Sequence, residues 1–357
     1  MKKSKSALQV NPGIQQPPDV NPLRKITKRK FALSTEDFVK GIRSCNITIL
    51  SQAITMIESD LYQHRKQAWE IINACLPYSG NSTRIGITGM PGAGKSTFIE
   101  SFGNYVISQN HKLAVLAIDP SSERSKGSIL GDKTRMETLS VNPDAFIRPS
   151  PSKGSLGGVA SRTREAMILC EAAGFDCILI ETVGVGQSET LVHSMVDFFL
   201  LLQLAGAGDE LQGIKRGIME MADALVITKA DGSNLRKAEL AKVQFAGALS
   251  LFPVPLSGIR PEVMTCSAIN NTGISEIWDY ISSFIKNSCN NGYFSDNRKV
   301  QQHYWFYETI KDNLNSNFFN DEKVKAMLPE LEKNISQNKI SSLAAANTLL
   351  DLFFRKK

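Results

Sequence analysis

Long apolar runs are missing from this sequence of 357 residues. No stretch reaches the about twenty consecutive apolar residues that a membrane-spanning helix needs. The apolar segment "MVDFFLLLQLAG" has the length of a buried parallel strand. The amino-terminal segment also lacks the apolar core of a secretory signal. We therefore expect neither a membrane span nor a secretory signal.

Cysteine and histidine patterns that are typical of metal sites are missing as well. The six cysteines form no CxxC pair, and the four histidines are scattered along the chain. This spacing predicts no structural zinc site, and it favours reduced, mostly buried thiols in a cytoplasmic protein. The residues concerned are Cys45, Cys75, Cys170, Cys177, Cys266, Cys289, His64, His111, His193 and His303.

The excess of positive charge is confined to one end of the chain. The sequence has 41 basic and 35 acidic residues, which gives a net charge of +6. The first thirty residues hold eight of the basic residues and one acidic residue, so the remainder carries 33 against 34. This distribution argues against nucleic acid as a partner. We expect residues 1–33 to form a flexible tail, either solvated without a role or acting as a docking arm. A mitochondrial transit peptide fits the low acidic content, but the prolines and the lack of an amphipathic stripe argue against it.

Short apolar runs that alternate with helical segments begin near residue 84. Buried parallel strands have this form, because helices cover both faces of their sheet. We expect six or seven strands in a mainly parallel, doubly wound α/β sheet over residues 81–289. A helical extension over residues 34–80 precedes the sheet, and three helices follow it in residues 290–357. The last helix must bury its apolar face on its own core or on a second copy of the chain. The runs are "RIGITG", "KLAVLAIDP", "AFIRPS", "DCILIETVG", "DFFLLLQLAG", "DALVITKAD" and "PEVMTCSA".

The segment "GMPGAGKS", at residues 89–96, has the pattern of a phosphate-binding loop. An apolar strand precedes it and an amphipathic segment follows, which is the context in which such a loop works. Its glycines let backbone N–H groups face a phosphate, Lys95 can reach the β- and γ-oxygens, and Ser96 offers a hydroxyl to Mg²⁺. The candidate nucleotide-binding residues here are Gly89, Pro91, Gly92, Ala93, Gly94, Lys95, Ser96 and Thr97.

The segment "VITKAD" indicates which base the nucleotide carries. It places Thr228, Lys229 and Asp231 at the end of a predicted strand and resembles the [NT]KxD signature of guanine-specific proteins. An aspartate can accept hydrogen bonds from both N1–H and the N2 amino group of guanine, whereas adenine offers no such pair. Ser267 and Ala268 in "TCSA" lie where such proteins often complete the base pocket. The motif predicts GTP, and the alternative is an ordinary strand end with a capping aspartate.

Three carboxylates are candidate magnesium ligands. Asp119 in "IDPSS" and Glu181 in "IETVGVGQSE" each end an apolar run at the edge of the sheet where ligands bind, and Asp132 follows in "GDKTRM". Any of the three could hold Mg²⁺ directly or through water, although Asp132 also suits a helix N-cap. Gly184 after Glu181 would let a backbone N–H approach the γ-phosphate.

Together these motifs resemble the MeaB/MMAA (formerly ArgK) family of GTPases, which are chaperones of adenosylcobalamin-dependent methylmalonyl-CoA mutase. The resemblance runs from about residue 34 to the end of the chain and includes "GSILGDKTRM", "IRPSPSKGSLGGV" and "GAGDELQGIKRGI", which no generic GTPase explains. It implies a homodimeric P-loop GTPase of the signal-recognition/MinD-related (SIMIBI) class, with GTP or GDP and Mg²⁺ as ligands and a C-terminal dimerisation arm. It also implies metal and switch roles for Asp119, Asp132 and Glu181.

The resemblance gives a role to a second glycine-rich, charged loop, "GAGDELQGIKRG". It is similar to a family element that responds to the nucleotide and contacts the mutase. A cation that such a loop delivers would neutralise charge in the transition state, and Lys215 is the candidate, with Asp209 and Gln212 orienting it or a water. Alternatively, Lys215 lies on a solvated helix face. No residue is assigned to the position of the activated glutamine of Ras-like proteins, although Gln187 lies close in sequence to that position. We therefore expect slow intrinsic hydrolysis.

Other functions stay open on the sequence alone. A metallochaperone GTPase that delivers nickel would usually carry His-rich tracts or cysteine motifs, which this chain lacks. A kinase acting on a transport-binding protein would usually prefer ATP, whereas the "TKAD" motif predicts a preference for GTP. A purely structural module is disfavoured by the intact phosphate loop. The sequence also does not separate methylmalonyl-CoA mutase from related acyl-CoA mutases as the client.

Overall fold

A computed structural model describes most of the chain beyond the basic tail. The described residues are 33–59, 61–118, 136–149, 156–182, 188–205 and 216–354, without the side chains of Tyr62 and Leu156. The predicted tail lies almost wholly outside these ranges. The candidate site residues that also lie outside them are Asp119, Asp132, Gly184, Gln187, Asp209, Gln212 and Lys215.

In these ranges seven strands form one sheet, and all of its pairings are parallel. The strands are β1 (Thr83–Gly89), β2 (Leu113–Ile118), β3 (Ala145–Arg148), β4 (Cys177–Thr182), β5 (Phe198–Leu204), β6 (Ala224–Thr228) and β7 (Glu262–Thr265). Their order is β3-β2-β4-β1-β5-β6-β7, so β1 lies in the middle between β4 and β5. The predicted parallel, doubly wound sheet is confirmed, and each apolar run became one strand.

Twelve α-helices accompany the sheet in the described part of the chain. They are α1 (Thr35–Arg43), α2 (Ile47–Ile57), α3 (Tyr62–Cys75), α4 (Lys95–Ser108), α5 (Leu156–Ala172), α6 (Ser188–His193), α7 (Arg216–Met221), α8 (Leu235–Ser250), α9 (Ile274–Asn290), α10 (Tyr293–Asn320), α11 (Glu322–Ser336) and α12 (Ser342–Phe354). Helices α4 and α9 pack on the sheet face that carries Ile85 and Leu200, and α8 packs on the opposite face with Leu201. Neighbouring residues of β5 therefore enter different cores, as strand geometry requires.

The predicted helical extension before the sheet consists of α1, α2 and α3. Asn46 caps α2 through its side-chain oxygen, which accepts hydrogen bonds from the backbone N–H groups of Thr48 and Ile49 at 3.1 and 3.2 Å. All three helices pack against α5. An ion pair between Arg148 at the end of β3 and Glu58 after α2 joins this helical region to the sheet. The region is thus attached to the sheet by packing and by a charged contact.

The three helices predicted at the C-terminal end are α10, α11 and α12. Trp305 of α10 is buried, and its Nε1 donates to the carbonyl oxygen of Ser194 at 3.0 Å. Helix α12 packs on α11, where Leu349 is buried in a small cluster of its own. The expectation that α12 buries its apolar face is met only in part, because Leu343 is 73% exposed and Phe354 is 58% exposed. Its neighbours α11 and, through Phe318, α10 cover only one side of this face.

No helix in the described ranges is long and apolar enough to cross a membrane. All six cysteines lie in these ranges and are free, and four of them are buried. Burial raises the pKa of the Cys75 thiol to about 11 and that of Cys266 to about 12. The prediction of reduced, mostly buried thiols is therefore confirmed.

Candidate nucleotide site

The loop between β1 and α4 has a backbone shape that requires glycine. Gly92 and Gly94 have φ values of +85° and +81°, in the left-handed region that glycine adopts without steric cost. A Cβ atom on Gly89 would lie 2.4 Å from the carbonyl oxygen of Leu202 in β5. The glycines of "GMPGAGKS" therefore have structural reasons to be there, and α4 begins directly after Gly94.

Lys95 folds back over this loop. Its Nζ donates to the carbonyl oxygen of Gly89 at 2.9 Å and to that of Met90 at 3.5 Å. Burial lowers the pKa of Lys95, whereas the charges of Glu181 and Glu189 oppose that shift. Among the described residues, no carboxylate forms an ion pair with Lys95. A partly desolvated ammonium group held only by carbonyl oxygens suits an incoming anion.

The remaining loop candidates surround the start of α4. Pro91 and Gly92 are exposed at the tip of the loop, whereas Ala93 is fully buried beneath it. Ser96 and Thr97 lie in the first turn of α4, where helix N–H groups have no partner within the helix. The positive end of this helix and the open loop above it form a shape that fits a phosphate group.

The "TKAD" segment contacts the phosphate loop directly. The hydroxyl of Thr228 donates to the carbonyl oxygen of Ala93 at 2.7 Å and lies 3.0 Å from that of Gln203. Lys229 has a left-handed φ of 55°, which is uncommon outside glycine. A Cβ atom on Gly94 would lie 3.8 Å from Cε of Lys229, so this side chain lies beside the loop. The structure brings the two predicted motifs together.

The predicted base pocket is also assembled. The hydroxyl of Ser267 donates to Oδ2 of Asp231 at 2.5 Å, and Ser267 is fully buried. The backbone N–H of Ala230 donates to the carbonyl oxygen of Cys266 at 2.9 Å, which joins the two segments. Ala268 follows, half-buried. Asp231 is thereby held with one oxygen occupied by Ser267, while the arrangement leaves further acceptor capacity on its carboxylate.

Glu181 lies one residue before the end of β4, paired with Ile87 of β1. Beside it, the buried hydroxyl of Thr182 donates to that of Thr88 at 2.8 Å and joins the two strands. No group of three or more histidine, cysteine or acidic residues that could hold a metal occurs within the described ranges. Mg²⁺ keeps several waters and needs few protein ligands, so Ser96 and Glu181 remain suitable residues for it.

Sequence reasoning missed two residues that support the site. The side chain of Asn234 donates to the carbonyl oxygen of Lys229 at 2.7 Å and stabilises the turn after β6. Gln203 is buried at the end of β5, and its Oε1 has no hydrogen-bond partner among the residues that the structure describes. One signal was present, because Gln203 is the polar residue in the otherwise apolar run "FFLLLQL". A buried polar side chain in such a run usually has a structural or functional reason.

Comparison with known proteins establishes the family. The sequence model of the family described as "Methylmalonyl Co-A mutase-associated GTPase MeaB" matches residues 50–323. The chain belongs to this family. Membership confirms the predicted resemblance and the predicted GTPase with a P-loop and a guanine nucleotide as ligand. The roles of individual site residues stay predictions.

Relatives match most of the chain. "GTPase ArgK" of Escherichia coli is 45% identical over 284 residues, which are 80% of this chain and 86% of the relative. "Methylmalonic aciduria type A homolog, mitochondrial" of Mus musculus is 43% identical over 325 residues, 88% of this chain and 77% of the relative. A solved structure described as "Crystal structure of LAO/AO transport system kinase" has 36% identity and a TM-score of 0.71, covering 89% of this chain and 97% of that chain.

Proposed function

We propose that this GTPase gates the loading of adenosylcobalamin onto methylmalonyl-CoA mutase, or onto a closely related acyl-CoA mutase, and protects that enzyme. The observation that carries the proposal is the family match over residues 50–323, whose description names association with this mutase. The name of the mouse relative refers to methylmalonic aciduria and supports the same connection.

The phosphate loop and the base pocket would hold the nucleotide. Backbone N–H groups of the loop and Lys95 face the phosphates, and Asp231, held by Ser267, accepts from guanine. Mg²⁺, when bound beside Ser96 and Glu181, would supply positive charge to the β- and γ-phosphate oxygens. These roles rest on two hydrogen bonds, from Thr228 to the carbonyl oxygen of Ala93 and from Lys95 to that of Gly89, which hold the two motifs beside each other.

Lys215 is the proposed cation of the partner-ordered loop. In sequence it comes directly before α7, which begins at the exposed Arg216. Lys215→Ala should leave GTP binding unchanged and abolish the stimulation of hydrolysis by the mutase, because transition-state charge loses its counter-ion. Arg216→Ala is the matched control, since it removes a neighbouring charge from the same segment. Unchanged stimulation in Lys215→Ala would contradict this role.

A homodimer belongs to the same proposal. Helix α10 exposes an apolar stripe at Val300, Tyr304, Tyr307 and Leu314, and the spacing of three, four and seven residues places them on one face. An exposed apolar stripe of this length suits the contact surface of a second copy.

The kinase function is the second candidate, because one structural relative is described as a transport system kinase. It would require ATP and a phosphorylated product.

The loading of adenosylcobalamin onto the apo-mutase tests the first function. The reaction contains this protein with either GTP or GDP, and the absorbance of adenosylcobalamin measures the loading. We expect the loading rate to differ between the two nucleotides. Equal loading in both, with transfer of phosphate from ATP to a transport-binding protein, would favour the kinase.

A further inference from the structure

A cavity lies at the opposite end of β1 from the phosphate loop. Its volume is about 630 Å³, and it lies between α3, α5, α10 and the start of β1. Cavities of this size commonly hold small organic ligands. The nucleotide site uses none of the residues that line it, so nucleotide binding does not explain this cavity.

Three arginines line the cavity, and two of them already have carboxylate partners. Nε of Arg84 donates to Oε1 of Glu171 at 2.9 Å. Arg298 donates to both carboxylate oxygens of Asp197, at 2.8 and 2.7 Å. These two pairs are structural, because both carboxylates are almost fully buried and need a counter-charge.

Arg164 is the third arginine, and its position differs. Its Nε is buried and has no hydrogen-bond partner in the described part of the chain. Its guanidinium carbon lies 5.7 Å from the centre of the Trp305 ring, which is a cation–π distance rather than a hydrogen bond. Burial lowers the pKa of Arg164. A guanidinium group with a buried, unsatisfied donor at a cavity wall requires an acceptor, and a charged acceptor suits it best.

The only carboxylate next to Arg164 in sequence does not satisfy it. Glu165 also lines the cavity but forms no ion pair with Arg164 in the described structure. Burial raises the pKa of Glu165, whereas the positive charges of Arg164 and Arg162 act in the opposite direction. Within the described ranges, the positive charge of Arg164 therefore has no ion-pair partner.

The rest of the lining is suited to an apolar or aromatic body. Trp69 at the mouth is 67% exposed, whereas Trp305 and Met167 are buried deeper in the wall. We propose that the cavity binds a small organic anion, whose carboxylate or phosphate group pairs with Arg164 and whose apolar body lies against Trp69. Such a ligand would contact α3, α5 and α10 together and hold the two terminal helical regions against the sheet.

Tryptophan fluorescence gives a direct test. The chain has three tryptophans, and two of them, Trp69 and Trp305, line the cavity. In a Trp278→Phe background, the remaining signal comes from the cavity alone. The probes are benzoate and phenyl phosphate, with benzamide as the neutral counterpart and excess GDP to fill the nucleotide site. We expect saturable quenching by at least one of the two anions and none by benzamide. The two anions separate a carboxylate ligand from a phosphate ligand.

Variants of the cavity lining test whether Arg164 binds the anion. Arg164→Met should weaken anion binding by about tenfold or more, and Arg164→Lys by less. Glu165→Gln should strengthen it, because a negative charge is removed from the wall. Lys299→Met, which removes a charge from an exposed position of α10, should change nothing. GDP binding verifies that each variant is folded. Binding of benzamide as tight as that of the anions, no binding of either anion, or a Glu165→Gln protein without gain would overturn the proposal.

Discussion

Single side chains join the phosphate loop, the "TKAD" segment and the "TCSA" segment, which lie far apart in sequence. Thr228 connects to the loop at Ala93, and Ser267 connects to Asp231. Both hydroxyls are buried, so each hydrogen bond is formed away from competing water. The geometry of the base pocket is therefore fixed by side chains on β6 and after β7 rather than by the phosphate loop itself.

Asp231→Asn should weaken GTP binding by about tenfold to a hundredfold, because two charge-assisted hydrogen bonds to guanine are lost. Xanthosine triphosphate carries a carbonyl in place of the guanine amino group, so the same variant should bind it better than the unchanged protein does. Calorimetric titration of both nucleotides measures this exchange. A variant that loses both nucleotides equally, or neither, would show that Asp231 does not read the base.

Asp223 gives the free energy of unfolding a pH dependence. Burial raises its pKa to about 7, although the backbone N–H of Phe199 that it accepts acts in the opposite direction. Unfolded aspartate titrates near pH 4, so the folded state binds the extra proton between about pH 4 and pH 7. The contribution of Asp223 to stability is present below this window and is lost as the pH rises through it.

Asp223→Asn keeps an oxygen for Phe199 and removes the ionisation. Relative to the unchanged protein, its free energy of unfolding should rise by roughly 2 to 3 kcal/mol between pH 5 and pH 8. Urea titrations at several pH values measure this difference. A difference that stays constant with pH would mean that Asp223 titrates in its ordinary range.

Among the elements, the long helix α10 is attached to the sheet by Arg298. Besides Asp197, this guanidinium donates to the carbonyl oxygen of Ser82 at 2.7 Å and to that of Gly80. One side chain thus connects α10 with the starts of β1 and β5. The ion pair is nearly dry, since the side chain of Asp197 is 1% exposed.

Arg298→Met should lower the free energy of unfolding by about 3 to 5 kcal/mol, because Asp197 is left buried without a counter-charge. Lys299→Met is the matched control. Lys299 pairs with Asp296 on the surface, and its loss should cost less than about 1 kcal/mol. Chemical denaturation of both variants checks the contrast. Similar losses in the two variants would mean that the buried pair has no special weight.

The sequence predicted elements well where burial dictated the residue type. All seven strands are apolar runs because both faces of the sheet are covered, and the phosphate loop is recognisable because its glycines are sterically required. The order of the strands and the Arg298–Asp197 pair were not predictable. They depend on contacts between residues about a hundred positions apart, which leave no periodic pattern in a single sequence.

At the scale of the whole molecule, the stripe on α10 predicts self-association. Tyr307→Glu combined with Leu314→Glu should convert a dimer into a monomer, because charges would be buried without partners at the contact surface. Leu240→Glu on α8 is the control, since it replaces an equally exposed leucine outside the C-terminal helices. Sedimentation equilibrium measures the mass of each protein. Retention of the dimer in the double variant would exclude this face.

Family membership establishes a GTPase, and we propose that its hydrolysis responds to a partner. The most direct test is the steady-state rate of GTP hydrolysis by the purified protein, alone and with adenosylcobalamin-dependent methylmalonyl-CoA mutase, with ATP as the control nucleotide. We expect a slow rate with GTP alone that rises by about an order of magnitude or more with the mutase, and no hydrolysis of ATP. An unchanged rate with GTP bound and the mutase present would contradict it.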